Sequence, residues 1–106
     1  MDYNYKIKLD ETQILEEIKK LEYWGIGKDK NIYYIVRNYD FGIIDTNSFL
    51  KTKIFVDKVS CLAEKYKHYP DISFGRGYAN IRLQTLPVSG LSEIDFEMAH
   101  EIDEFY

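Results

Sequence analysis

Hydrophobic residues follow two periods along the chain, and these periods predict helices and strands in alternation. The first helix is expected to begin near Asp10 or Thr12 and to end at about Glu22. Its apolar residues recur three and four positions apart, which places them on one helix face: Ile14, Ile18 and Leu21. Asp10 or Thr12 can accept a hydrogen bond from a free N–H group at the helix start.

A second helix is predicted to begin at Asn47 or Ser48 and to end just before His68, because Pro70 prevents its continuation. Its apolar stripe consists of Phe55, Val59, Leu62 and Tyr66. Cys61 lies inside this helix and is expected to be a buried core thiol.

The third helix has the clearest start signal. Ser92 and Asp95 have the spacing of a capping box, and Leu91 and Phe96 lie where a hydrophobic staple places its two apolar residues. The predicted buried stripe is Ile94, Met98, Ile102 and Phe105. His100 lies among acidic residues in the middle of this helix, so we expect it to be exposed.

The segments between the helices have the character of strands. Residues 24–26 and 32–38 are predicted to pair across a polar turn, and 40–47 is a loop or a second short strand pair. Farther along, residues 72–74 form a short strand before a glycine-containing turn. Residues 78–85 then alternate cleanly, with Ala79, Ile81 and Leu83 on one face. This order predicts an α+β domain, an antiparallel sheet with helices on one face.

Composition narrows the class of protein. A chain of 106 residues is expected to form one domain, residues 1–106. Its single cysteine can form neither an intrachain disulfide nor a cysteine-based zinc site. No apolar run is long enough to cross a membrane, and the N-terminal segment is too polar for a signal peptide. We therefore expect a cytoplasmic protein.

The charge is unevenly distributed. The chain has 14 basic and 18 acidic residues, a net charge of −4, and residues 92–106 contain six acids and no lysine or arginine. No continuous basic stripe is present, so nucleic-acid binding is not expected as the main role. The acidic end is either a solvated helix face or a contact for a basic partner.

His68 is the main candidate for chemistry. Glu64 lies four residues upstream, so the two side chains share a helix face if the helix extends that far. A carboxylate beside an imidazole favours the protonated ring, which suits a general acid. A histidine that caps the helix end explains the same position. Asp95 either bonds back to its own helix start or turns toward a ligand. The two histidines lack metal-ligand spacing, so no metal site is expected.

From about Phe55 onward, the chain resembles the pterin-4a-carbinolamine dehydratase family. The similar positions are Phe55, Val56, Val59, Leu62, Ala63, Glu64, His68, Tyr69, Pro70, Asp71, Thr85, Gly90, Leu91, Ser92, Asp95, Phe96, Ala99, Ile102 and Asp103. The resemblance implies a four-stranded antiparallel sheet with three helices packed on one face, paired into homodimers or homotetramers. It also implies removal of water from 4a-hydroxytetrahydropterin without a metal or redox cofactor. An acid serves the departing hydroxyl and a base takes the N5 proton.

Two of the three histidines implied by the resemblance are missing. Tyr69 and Leu86 stand where the family has histidines, and only His68 remains. Tyrosine, with an ordinary pKa of roughly 10, is a poor base at neutral pH, and leucine moves no proton. The implied pterin pocket consists of Glu64, His68, Tyr69, Pro70, Asp71, Leu86 and Asp95.

These losses favour a non-catalytic relative that acts through protein binding, of the type of the Rubisco assembly factors of bacteria with carboxysomes. The client would then be a protein such as the Rubisco large subunit, with no direct role for nucleic acid or membrane. The alternative is an active dehydratase. In that case His68 is the acid, Glu64 orients it, and Tyr69 and Asp95 hold the pterin.

Overall fold

A computed structural model describes residues 7–106 of the chain. Residues 1–6, which belong to the predicted domain and to the polar N-terminal segment, lie outside this range. The elements are, in order, α1 (Glu11–Ile18), β1 (Gly25–Asp29), β2 (Ile32–Asp40), α2 (Ser48–Tyr66), β3 (Asp71–Gly75), β4 (Tyr78–Leu83), a short 3₁₀ turn (Leu86–Val88) and α3 (Glu93–Glu104). The predicted order of helices and strands is confirmed. Within residues 7–106, no helix is long and apolar enough to span a membrane.

The four strands form one antiparallel sheet in the order β1-β2-β4-β3. Lys30 and Asn31 join β1 to β2, both with positive φ, as a tight hairpin turn requires. Gly77 closes the β3–β4 hairpin at φ +85°, and a Cβ atom there would overlap the carbonyl oxygen of Gly42. This close approach fixes the hairpin against the loop that follows β2.

The core lies between one face of the sheet and the helices. The alternation along β4 is confirmed, because Ala79, Ile81 and Leu83 are all fully buried. They belong to a single buried cluster that also contains most of the predicted helix stripes: Ile14, Leu21, Phe55, Val59, Leu62, Tyr66, Ile94, Met98 and Ile102. Ile18 and Phe105, also predicted to be in these stripes, are only partly buried and pack against the cluster. The α+β architecture, a four-stranded antiparallel sheet with three helices, is therefore confirmed.

Two predictions about helix surfaces were wrong. Cys61 is exposed, because it follows the buried Val59 by two positions, about 200° around the helix. His100 is half-buried, and it lines a cleft between α1 and α3. The first helix also ends earlier than expected, at Ile18. Beyond it, the backbone N–H groups of Lys20 and Leu21 donate to the carbonyls of Glu17 and Ile18.

Asp103 joins the last helix to the sheet. Its Oδ1 accepts hydrogen bonds from Trp24 Nε1 at 2.9 Å, from Arg37 Nη1 at 2.9 Å and from the hydroxyl of Tyr39. The Arg37 guanidinium also lies over the ring of Tyr39, 4.2 Å from its centroid. One carboxylate thus neutralises a largely buried cation and satisfies two neutral donors.

We expect Asp103→Ala to lower the free energy of unfolding by about 2–4 kcal/mol, since it leaves the Arg37 charge without its carboxylate. Urea denaturation measures the change. The control is Glu104→Ala, an exposed acid on the same helix, which should change stability by no more than about 0.5 kcal/mol. Equal effects of the two substitutions would contradict the role given to Asp103.

Tyr39 makes stability depend on alkaline pH. Burial and the hydrogen bond to Asp103 raise the pKa of Tyr39 well above its usual value. The unfolded chain ionises this hydroxyl near pH 10 while the folded chain keeps it protonated. The free energy of unfolding should therefore fall as the pH rises above about 10. Tyr39→Phe should make this fall shallower in urea titrations at alkaline pH, and an unchanged slope would refute the assignment.

Candidate functional site

The candidate site forms where the end of α2, the end of β4 and the start of α3 meet. Lys67 adopts a left-handed conformation with φ 54°, which ends α2 and turns the next residue inward. His68 is consequently only 8% exposed, and its Nε2 donates to Asp95 Oδ1 at 2.7 Å. The helix ends before His68, as predicted. Because α2 does not extend to His68, Glu64 and His68 do not share a helix face.

Asp95 is fully buried and holds the three elements together. Its Oδ2 accepts from Thr85 Oγ1 at 2.6 Å and from the Ser92 backbone N–H at 3.0 Å, while Oδ1 accepts from His68. The hydroxyls of Thr85 and Ser92 lie 2.8 Å apart in the same network. The capping box of Ser92 and Asp95 is confirmed. Because its carboxylate is enclosed, Asp95 can influence a ligand only through the residues bonded to it, such as His68 and Thr85.

A cleft of about 330 Å³ opens above this network. It is lined by Lys67, His68, Tyr69, Gln84, Thr85, Leu86 and Pro87. Thr85 pairs with Gly90 through backbone hydrogen bonds, which fixes the turn that carries Leu86. Tyr69 and Leu86 are 59% and 60% exposed and form the rim. The cleft therefore has a polar floor with one imidazole and a largely apolar rim.

The structure brings some of the expected pocket residues together and separates others. His68, Tyr69 and Leu86 line the cleft, and Asp95 lies beneath it. Glu64 is on the exposed side of α2, 3.4 Å from both Lys67 Nζ and the Tyr69 hydroxyl. Pro70 and Asp71 lead into β3 and are not among the lining residues.

Sequence reasoning missed Lys67, Gln84, Thr85 and Pro87 as lining residues. Lys67 adjoins His68, Thr85 and Pro87 adjoin Leu86, and Gln84 lies two positions before Leu86. Closeness in sequence to these two candidates was therefore the available signal. His100, the second imidazole, lines a different cleft between α1 and α3. No group of three or more acidic, histidine or cysteine side chains within residues 7–106 is arranged to hold a metal ion.

The arrangement can move one proton at the floor of the cleft. A histidine paired with a buried carboxylate is oriented by it, and its imidazole can donate or accept a proton. The Tyr69 hydroxyl and the Gln84 amide offer further hydrogen bonds to a polar ring, whereas Leu86 offers only apolar contact.

Comparison with known proteins identifies the chain's relatives. The family model described as pterin 4 alpha carbinolamine dehydratase matches residues 7–105. A protein of Halorhodospira halophila is 33% identical over 95 residues, 90% of this chain and 81% of its own length. One of Azoarcus sp. is 36% identical over 96 residues, 91% of this chain and 76% of its own. Both carry the name "Putative pterin-4-alpha-carbinolamine dehydratase".

Two solved structures share the fold at 23% identity. A transcriptional coactivator/pterin dehydratase from Brucella melitensis aligns with a TM-score of 0.80, over 93% of this chain and 98% of that one. A pterin dehydratase-like protein described as a RuBisCO assembly factor in the alpha-carboxysome aligns with a TM-score of 0.63, over 80% and 90%. With a family match over nearly all of its described residues, the chain belongs to the pterin-4-alpha-carbinolamine dehydratase family.

Proposed function

We propose that this chain is a non-catalytic member of the family that acts by binding a protein. The observation that supports this most directly is the composition of the cleft. Its lining includes one imidazole, and the Nε2 of that ring is bonded to the buried carboxylate of Asp95. The two other positions where the resemblance implies histidines hold Tyr69 and Leu86, both on the rim.

Dehydration of a 4a-hydroxytetrahydropterin needs two proton transfers, one to the leaving hydroxyl and one from N5. General acid–base assistance contributes roughly 10²–10⁴-fold to each such step. His68 can serve one transfer, but no second imidazole lines the described cleft. This deficit argues for slow or absent turnover.

The rim of the cleft favours contact with a protein. Tyr69 and Leu86 are large, more than half exposed, and reach the cleft from two different segments of the chain. Exposed apolar groups that border a cleft are common at protein-binding sites. We propose that the client is the Rubisco large subunit, a choice supported by the structurally similar protein described as a RuBisCO assembly factor. The chain would act in the cytoplasm as a homodimer or homotetramer.

A working dehydratase is the second candidate, favoured by the His68–Asp95 pair at the floor of an open cleft. In this reading, the imidazolium of His68 protonates the leaving hydroxyl and Asp95 stabilises the charged ring. Tyr69 holds the pterin, and Glu64, 3.4 Å from the Tyr69 hydroxyl, positions that residue.

Turnover of 4a-hydroxytetrahydropterin separates the two candidates. We expect the purified protein to show the background rate, and Tyr69→His combined with Leu86→His to raise the rate by at least about 10²-fold. The increase is expected because the substitutions restore the missing proton carriers. A high wild-type rate abolished by His68→Ala, but unaffected by His100→Ala in the other cleft, would refute the non-catalytic proposal.

Binding to purified Rubisco large subunit tests the proposed client. We expect co-elution in size-exclusion chromatography, and Leu86→Glu should raise the dissociation constant about tenfold or more by placing a charge on the rim. Leu50→Glu is the matched control, because Leu50 is 58% exposed at the opposite end of α2. Absence of binding by the wild-type protein would refute this client.

A further inference from the structure

A second cleft, of about 440 Å³, lies between α1 and α3 and is separate from the candidate site. The buried side chains of Leu9 and Phe96 form its floor. Its walls carry polar residues from both helices: Thr12, Gln13, Glu16, Glu17, Lys20, Glu93, Glu97 and His100. The cleft therefore combines an apolar, partly aromatic base with charged walls.

The walls carry an excess of negative charge. Among the lining residues within 7–106, four are glutamates and one is a lysine, Lys20, which lies 3.2 Å from Glu17. The contact of Glu16 with Lys19, at 3.5 Å, is exposed, and such surface pairs are weak. Another groove runs along α2, and its described lining contains two lysines, Lys58 and Lys65, and a single acid, Asp57. The excess of acidic side chains thus distinguishes the α1–α3 cleft from the groove along α2.

The two walls are fixed relative to each other before any partner arrives. The backbone N–H of Leu9 donates to the carbonyl of Leu91 at 2.8 Å, which ties the segment before α1 to the segment before α3. Capping boxes hold both helix starts, at Asp10 and at Ser92. A preformed cleft loses little conformational entropy on binding.

We propose that this cleft binds a lysine or arginine side chain from a basic segment of a partner protein. The aliphatic stem of such a side chain packs on Phe96 and Leu9, and its charged head reaches the glutamates on the two walls. The apolar floor favours this occupant over a small hydrated cation, because such a cation has no aliphatic chain to pack on Leu9 and Phe96. The inference deepens the proposed protein-binding role and rests on it.

The test uses a short fluorescein-labelled peptide in which arginine alternates with leucine, and fluorescence anisotropy with the full chain. Glu16→Gln combined with Glu93→Gln removes one charge from each wall. The matched control, Glu22→Gln combined with Glu104→Gln, removes the same charge from exposed positions outside the lining. We expect the first pair to weaken binding about tenfold and the control pair less than about twofold. In NMR titrations, the amide shifts should cluster at Leu9, Phe96 and His100.

Equal weakening by both pairs, or binding of a peptide with glutamate in place of arginine, would overturn the proposal. Absence of peptide binding at physiological ionic strength would overturn it as well. The same variants separate this inference from the proposed client. If the Rubisco large subunit binds the Glu16/Glu93 double variant and the control double variant equally well, the proposed client is supported but the cleft is not its binding site. If the peptide binds in the cleft and Rubisco does not bind the protein at all, the cleft proposal is supported and the client proposal is refuted.

Discussion

The enclosed carboxylate of Asp95 constrains the functional end of this molecule more than any other group. A carboxylate without water is costly to bury unless its oxygens accept hydrogen bonds. Here the donors come from three separate elements, through His68, Thr85 and Ser92. The orientation of His68 follows from this requirement, and so does the position of the cleft above it.

The same constraint bears on function. A histidine held by a buried acid can act as a proton donor, but it also contributes to the stability of the fold, so its retention is no proof of catalysis. The rim residues Tyr69 and Leu86 contribute less to the stability of the fold, because they are largely exposed. They are therefore the positions where function can change without loss of the fold, and this chain has a phenol and an alkyl group there.

Local signals in the sequence predicted most of the fold. The capping box at Ser92, the alternation in β4 and the stop before His68 each depend on neighbouring residues, and all three were correct. The pairing of His68 with Asp95 spans 27 positions and has no local signal. Cys61 was misplaced because residue type alone suggested burial, while its position around α2 determines its exposure.

The candidate site was predictable in part. Resemblance and spacing led to His68, Tyr69, Leu86 and Asp95, which the structure brings to one place. The sequence identifies Thr85 only as the end of a predicted strand. Its hydrogen bond to Asp95 was not predictable, because it depends on a partner ten positions away and not on adjacent residues. Glu64 would share a helix face with His68 only if α2 extended that far, and the left-handed turn at Lys67 ends the helix before His68.

The hairpin between β1 and β2 has a practical value for studying this protein. Lys30 and Asn31 are exposed at its tip, and neither lines any of the clefts described above. By contrast, the β3–β4 hairpin has backbone pressed against backbone where Gly77 meets Gly42. A fluorophore or short epitope inserted at the first tip would report on client encounters without disturbing the architecture, whereas the same insertion at the second would force two segments of the molecule apart.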